Sequence, residues 1–156
     1  MLDWTDVILR LTAATFAGAA IGLDRDLRGK PTGVRTMGIV ALGSALIVLA
    51  SQYPAHEIDH AAASRVMQGI ITGIGFLGAG VILRNPLGAS VHGLTTAAII
   101  WLTACIGAAC GAGAWPLVLI SALLVAIILA FGKALEQAFQ RHFPPSSRGE
   151  KEDGPK

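Results

Sequence analysis

Three short stretches of the chain contain residue types that could do chemistry. The first, GIGFLGAGVILR at residues 73–84, has glycines in the G-x-G-x-x-G spacing of a dinucleotide-binding turn. Such a turn needs an acidic residue about 20 positions later to bind the ribose. Residues 97–100 are Ala, Ala, Ile and Ile, and no carboxylate follows until Glu136. The glycine spacing therefore does not predict a nucleotide site.

The second stretch, HEIDH at residues 56–60, has the H-E-x-x-H pattern of zinc proteases. On a helix, His56 and His60 would share one face and bind zinc, and Glu57 would act as the general base. The motif instead follows Pro54 in a short loop, and the third histidine of the longer zinc motif is missing. We interpret these residues as a polar loop, with an incidental metal contact as the alternative. No enzymatic activity is predicted.

The third stretch, GLDRDLRGKPTGVRT at residues 22–36, is rich in charge. Asp24 lies four residues before Arg28, and Asp26 lies four residues before Lys30, so both pairs can form on a helix. Two carboxylates two residues apart could also bind a hydrated Mg²⁺ ion, since Mg²⁺ prefers oxygen ligands. Asp24 and Asp26 are therefore candidate metal ligands, and an ordinary basic membrane anchor is the alternative.

The composition of the chain is that of a membrane protein. Hydrophobic residues make up 53% of the 156 residues and charged residues 14%, whereas an average soluble chain has about 25% charged residues. Between Asp59 and Glu136 the only charged residues are Arg65, Arg84 and Lys133. No basic stripe with interleaved aromatic residues occurs, so nucleic-acid binding is not expected.

Five apolar segments of 16 to 18 residues follow one another along the chain. This length is near the minimum for a helix that crosses a hydrocarbon layer about 30 Å thick. Only helices and closed barrels satisfy the backbone in lipid, so the sequence predicts an all-α fold, a polytopic transmembrane helix bundle with about five spans. The segments are Val7–Leu23, Thr36–Ser51, Val66–Leu83, Thr95–Gly111 and Trp115–Phe131.

The distribution of basic residues predicts the orientation of these spans. Ten of the twelve Lys and Arg residues fall on one side, and only Arg10 and Arg65 fall on the other. The positive-inside rule then places the N-terminus outside and the C-terminus in the cytoplasm. Asp6 lies four residues before Arg10, and we expect Arg10 to pair with it and extend outward to water. Residues 1–133 are predicted to form the transmembrane domain and residues 134–156 an amphipathic extension with a polar, disordered tail.

Small residues recur at helical spacing in three of the apolar segments. In lipid, helices associate through close backbone approach at small residues, because burial from water supplies no driving force there. The pattern predicts a tight bundle that also self-associates or binds other membrane proteins. The glycines predicted to pack at helix faces are Gly18, Gly22, Gly69, Gly73, Gly107 and Gly111.

Several of these motifs occur in one order that resembles a known family. Asp24-Arg25-Asp26 is followed by Lys-Pro-x-Gly-x-Arg-Thr at residues 30–36, by LGSA, by GIGFLGAGVILR, and by GLTTAA with Trp101. This order is similar to the membrane domain of the MgtC/SapB family, over about residues 10 to 130. The family usually has Glu-Arg-Glu where this chain has Asp-Arg-Asp. MgtC also has a cytoplasmic domain after the last span, where 25 residues follow Phe131 here.

The resemblance implies a multi-pass protein of the bacterial inner membrane, linked to growth at low magnesium and to virulence. It also implies action on membrane partners, notably the F-type ATP synthase, rather than Mg²⁺ transport. We therefore expect a regulatory protein without a bound cofactor, and an oligomeric Mg²⁺ or other ion transporter or channel is the alternative. Spans two to five contain no carboxylate, which favours the regulator.

The residues expected to carry the function lie near one membrane face. We predict an ion-paired polar patch in which Asp24 and Asp26 face Arg35 or Arg84. The residues of this patch are Asp24, Arg25, Asp26, Arg35, Arg84, Thr95 and Thr96.

Overall fold

The computed structural model of the chain describes residues 3–52, 60–84 and 91–142. Five α-helices account for most of the described residues, which confirms the predicted all-α bundle. They are α1 (Trp4–Leu27), α2 (Val34–Gln52), α3 (His60–Val81), α4 (Leu94–Gly111) and α5 (Trp115–His142). Two short strands, β1 (Leu83–Arg84) and β2 (Val91–His92), pair antiparallel between α3 and α4.

Three of the described helices, α1, α2 and α4, are long and apolar enough to cross a membrane. Helix α3, which contains Arg65 and Gln68, is not one of these three. The apolar part of α5, Trp115–Phe131, is a shorter apolar helix. Helix α5 then continues to His142, so the extension predicted after Phe131 belongs to the same helix.

The chain divides into two compact units, residues 1–122 and residues 123–156. In the first unit, α2 lies between α1 and α4 and packs against both. Helix α3 packs mainly against α4. A buried cluster at the junction of α2, α3 and α4 consists of Met37, Ile74, Ile100 and Ala104.

Ala41, in the middle of α2, is held between glycines of two neighbouring helices. A methyl group added at Gly18 of α1 would lie 2.8 Å from Ala41 Cβ, and one at Gly107 of α4 would lie 2.7 Å from Ala41 Cα. One turn further along α4, a methyl group at Gly111 would lie 2.8 Å from Ala45 Cα. These separations are shorter than van der Waals contact, so only glycine lets the backbones approach so closely.

Gly22 of α1 is also closely packed, since a methyl group there would lie 2.6 Å from Val34 Cα. The glycines of α3 differ from these. A methyl group at Gly69 or Gly73 meets no described atom within 4 Å, whereas Gly78 faces Ala97 of α4 at 3.6 Å. Among the described residues, Gly69 and Gly73 therefore do not pack against a neighbouring helix, and their role in helix packing, self-association or partner binding stays a prediction.

Candidate functional site

Of the seven residues of the predicted polar patch, Arg84 lies in β1, and the other six lie where α1 ends and where α2 and α4 begin. We call this the Arg25 end of the bundle. The close contacts of Gly18 and Gly22 with the first half of α2 show that α1 and α2 are antiparallel. The contacts of Gly107 with Ala41 and of Gly111 with Ala45 show that α2 and α4 are parallel. The fold therefore brings the N-termini of α2 and α4 to the same end.

Arg25 lies at the centre of the hydrogen bonds that connect the elements at this end of the bundle. It is only 4% exposed, although it is charged. Its Nε and Nη2 atoms donate to the carbonyl oxygen of Pro31 at 3.1 and 2.9 Å, and Nη2 also donates to Thr96 Oγ1 at 2.7 Å. Arg25 thus connects α1 to the α1–α2 loop and to the first turn of α4.

Asp24 forms the ion pair that the sequence predicts. Arg28 Nη2 lies 2.8 Å from Asp24 Oδ1, and Arg28 Nε donates to the same oxygen at 2.9 Å. Both side chains are partly exposed, at 29% for Asp24 and 40% for Arg28. Exposed pairs of this kind stabilise a protein by less than about 1 kcal/mol.

Asp26 has a different partner from the predicted Lys30. Its Oδ2 accepts a hydrogen bond at 3.0 Å from the backbone amide of Val34, the first residue of α2. A carboxylate at this position satisfies one of the amides that have no acceptor in the helix, and it interacts favourably with the helix dipole. The backbone amide of Lys30 donates to the Arg25 carbonyl oxygen at 2.9 Å. Asp26 thus caps α2.

The other members of the patch are Arg35, Thr95 and Arg84. Arg35 is exposed in the first turn of α2, and Thr95 is exposed in the first turn of α4. The predicted pairing of Asp24 and Asp26 with Arg35 is wrong, because their partners are Arg28 and the Val34 amide. The backbone of Arg84 pairs with that of Val91, and the Arg84 side chain lies outside the described residues.

Arg10 marks the opposite end, where α1 begins and α2 and α4 end, and we call this the Arg10 end. Arg10 Nη2 pairs with Asp6 Oδ2 at 2.8 Å, as predicted. Its Nη1 donates to the Gly111 carbonyl oxygen at 3.1 Å and to Gln52 Oε1 at 3.4 Å. The side chain is 16% exposed, so the predicted outward extension to water is wrong. A cation here compensates the negative end of the α4 dipole.

No group of three or more potential metal ligands occurs in the parts of the chain that the structure describes. The carboxylates of Asp24 and Asp26 are engaged by Arg28 and by the Val34 amide. His56, Glu57 and the side chain of His60 lie outside the described residues, so the zinc-like motif is not tested.

The α1–α2 loop has a feature that sequence reasoning missed. Thr32 has a φ of 63°, which is rare for a β-branched residue. It directly follows Pro31, whose carbonyl oxygen accepts two hydrogen bonds from Arg25. Thr32 also donates to that oxygen. No residue type in the loop indicates this conformation, since a positive φ is normally signalled by glycine or asparagine.

The chain was compared with known families, curated proteins and solved structures. The profile of the MgtC family matches residues 11–138. The chain belongs to the MgtC family. No solved structure matches it significantly.

Among its relatives in the family, SrpB of Synechococcus elongatus is 42% identical over 144 residues, which cover 86% of this chain and 79% of SrpB. MgtC of Salmonella typhimurium is 41% identical over 146 residues, covering 92% of this chain. Escherichia coli YhiD, named as a candidate magnesium transporter, is 38% identical over 130 residues, covering 80% of this chain. The matched region spans 59% of the length of MgtC and of YhiD.

Proposed function

We propose that this protein is a regulatory protein of the bacterial inner membrane, linked to magnesium homeostasis, that acts by binding other membrane proteins. Membership of the MgtC family supports the link to magnesium, as does the name of YhiD. Two alternatives from the sequence remain for the mechanism, a partner-binding regulator and an oligomeric ion transporter. The charges inside the bundle favour the regulator.

The observation that carries this choice is the position of the two arginines. Arg10 lies at one end of the α1–α2–α4 bundle and Arg25 at the other, and both side chains are largely buried. A divalent cation that moved between these helices would meet a guanidinium group at each end, where repulsion is strong because water is largely excluded. A magnesium path would instead need carboxylates or water at those places.

Three carboxylates near the two ends already have partners within the chain. Asp6 pairs with Arg10, Asp24 pairs with Arg28, and Asp26 accepts the Val34 amide. Between the ends, α2 and α4 touch backbone to backbone at Gly107 and Gly111, which closes the interface to an ion with its hydration shell. These contacts support a static bundle rather than a carrier.

Helix α3 supplies the face for a partner in this proposal. Gly69 and Gly73 lie one turn apart and leave open space above the helix, and Phe76, on the same side, is 82% exposed. In lipid, a neighbouring helix can approach closely over such glycines and pack against the aromatic ring. The partner is another membrane protein, and the family resemblance makes the F-type ATP synthase the first one to test.

Co-purification after crosslinking in native membranes tests this mechanism, with Gly73→Leu as the variant. A methyl group at Gly73 meets no described atom within 4 Å, and a leucine there fills the space that a partner helix needs. Gly43→Leu on α2 is the matched control, since a methyl group there also meets nothing within 4 Å. We expect the partner to be lost with Gly73→Leu and kept with Gly43→Leu. Equal recovery of the same partner with both variants would contradict binding through α3.

The transporter alternative rests on the name of YhiD and makes a separate prediction. It requires Mg²⁺ flux through the purified protein in a lipid bilayer. It also requires an ion path outside the α1–α2–α4 interior, for example between copies of the chain. A flux measurement on purified protein therefore separates the two functions without knowledge of the partner.

A further inference from the structure

Arg25 is a buried cation that makes no salt bridge among the described residues, although the neighbouring Asp24 carboxylate interacts with it electrostatically. It is 4% exposed, and its hydrogen-bond acceptors are a carbonyl oxygen and a hydroxyl group. The salt bridges of the described residues involve Arg10 and Arg28, not Arg25. Buried charges in proteins are almost always paired with an opposite charge, because removal from water is costly. Asp24 is itself paired with Arg28 and Asp26 caps α2, so neither carboxylate forms an ion pair with the Arg25 guanidinium.

One nitrogen of the Arg25 guanidinium is still available to bind a negatively charged ligand. Nε and Nη2 make the three hydrogen bonds to Pro31 and Thr96, and Nη1 makes none with the described residues. The only fully buried side-chain nitrogen or oxygen without a partner in the described part of the chain is Arg10 Nε. Arg25 Nη1 therefore reaches the surface, and its two N–H groups can donate to a bound anion.

The N-terminus of α4 is the second donor group at this place. Arg25 is bonded directly to its first turn through Thr96. No side chain caps this helix, and the Ala97 amide makes its first backbone hydrogen bond, to the Gly93 carbonyl oxygen at 2.9 Å. The amides before Ala97 in the first turn have no acceptor within the helix, and the helix dipole favours a negative charge there. Helix α2 differs, because Asp26 already occupies its N-terminus.

We propose that Arg25 Nη1 and the first turn of α4 bind a phosphate group at the Arg25 end of the bundle. Phosphate fits this donor set because it offers several acceptor oxygens to a planar guanidinium and to helix amides. The exposed cation of Arg35 adds to the positive potential at the same end. This proposal does not depend on the proposed function, since a regulator and a transporter could each have such a site.

The phosphate group can belong to inorganic phosphate or to an anionic lipid headgroup, and stability measurements distinguish the two. The full chain, purified in neutral detergent and stripped of lipid, is heated with increasing inorganic phosphate or with phosphatidylglycerol. Sodium chloride of equal ionic strength corrects for screening. We expect a saturable rise in the melting temperature, because a ligand that binds only the folded state stabilises it. If inorganic phosphate raises the melting temperature, the ligand is free phosphate. If only phosphatidylglycerol raises it, the ligand is the lipid headgroup.

Thr95→Asp is the decisive variant. Thr95 is exposed in the first turn of α4 and makes none of the contacts of Arg25, so the fold should persist. A carboxylate there supplies a negative charge at the uncapped N-terminus of α4 from within the chain. We expect a higher melting temperature without ligand and no further rise with phosphate or phosphatidylglycerol. Thr5→Asp is the matched control, since Thr5 is exposed at the same position of the first turn of α1, at the other end. It should respond to ligand like the original chain.

Arg25→Gln provides a second variant, which should weaken the apparent affinity for phosphate by about tenfold or more, since a charge-assisted hydrogen bond is lost. If it fails to fold, the comparison of Thr95→Asp with Thr5→Asp still decides the question. The proposal is overturned if neither ligand stabilises the original chain beyond the chloride control. It is equally overturned if Thr95→Asp responds to ligand as strongly as Thr5→Asp does.

Discussion

Replacement of Gly107 by alanine tests the backbone packing that holds the bundle together. The added methyl group would lie 2.7 Å from Ala41 Cα and would overlap the Ala41 carbonyl oxygen. Carbon atoms normally approach to about 3.5–4.0 Å. Helices α2 and α4 would therefore have to separate by about 1 Å at this point, and Ala41 cannot move away because Gly18 of α1 lies on its other side.

The expected cost follows from two opposing contributions. Overpacking of a tightly packed interior costs about 1–3 kcal/mol. Alanine has a higher helix propensity than glycine by about 1 kcal/mol, which offsets part of this cost. We therefore expect Gly107→Ala to lower the free energy of unfolding by up to about 2 kcal/mol.

Gly73→Ala is the matched comparison, because a methyl group there meets no described atom within 4 Å. Only the propensity contribution remains in the purified chain, so this variant should be about as stable as the original or up to about 1 kcal/mol more stable. Reversible unfolding in mixed micelles of mild detergent and sodium dodecyl sulfate, followed by circular dichroism, measures both variants. Equal stability of Gly107→Ala and Gly73→Ala would refute the close approach of α2 and α4.

Three further substitutions test individual contacts in the same unfolding assay. Asp26→Ala removes the cap of α2 and should cost about 0.5–2 kcal/mol, whereas Asp24→Ala removes an exposed pair and should cost less than about 1 kcal/mol; equal losses would argue against the cap. Thr32→Gly should raise stability by up to about 1 kcal/mol, because glycine tolerates a positive φ without strain; a loss would contradict the assigned loop conformation. Arg10→Gln should cost about 1–3 kcal/mol through lost bonds to Asp6 and Gly111. An unchanged unfolding midpoint would contradict the contacts assigned to Arg10 at this end of the bundle.

Hydropathy alone was enough to predict the helices. Four of the five apolar segments fall within a helix, because lipid-exposed backbone must satisfy its own hydrogen bonds. The fifth, Val66–Leu83, runs two residues past the end of α3. The sequence predicted less about which neighbours the glycines contact. Gly18 and Gly107 lie close to Ala41, whereas Gly73 has no described atom within 4 Å of an added methyl group, and spacing alone could not show this difference. A small-residue face is the same in sequence whether its partner helix is in the same protein or in another.

The candidate site was predicted as a region rather than as a set of contacts. The i,i+4 rule predicted the pairs of Asp6 with Arg10 and of Asp24 with Arg28, since these depend on one helix alone. The bonds of Arg25 to Thr96 and of Arg10 to Gly111 join residues 71 and 101 positions apart. Such contacts depend on which helices are neighbours and on their direction, and a single sequence does not contain that information.

Magnesium flux through purified protein in sealed proteoliposomes tests the central functional claim most directly. A Mg²⁺-sensitive dye inside the vesicles reports entry, with an ionophore added at the end to show that the vesicles are intact. The position of Arg10 and Arg25 at the two ends of the closed bundle predicts a signal equal to that of protein-free vesicles. A protein-dependent entry of Mg²⁺ that saturates with concentration would contradict a regulator that does not carry the ion.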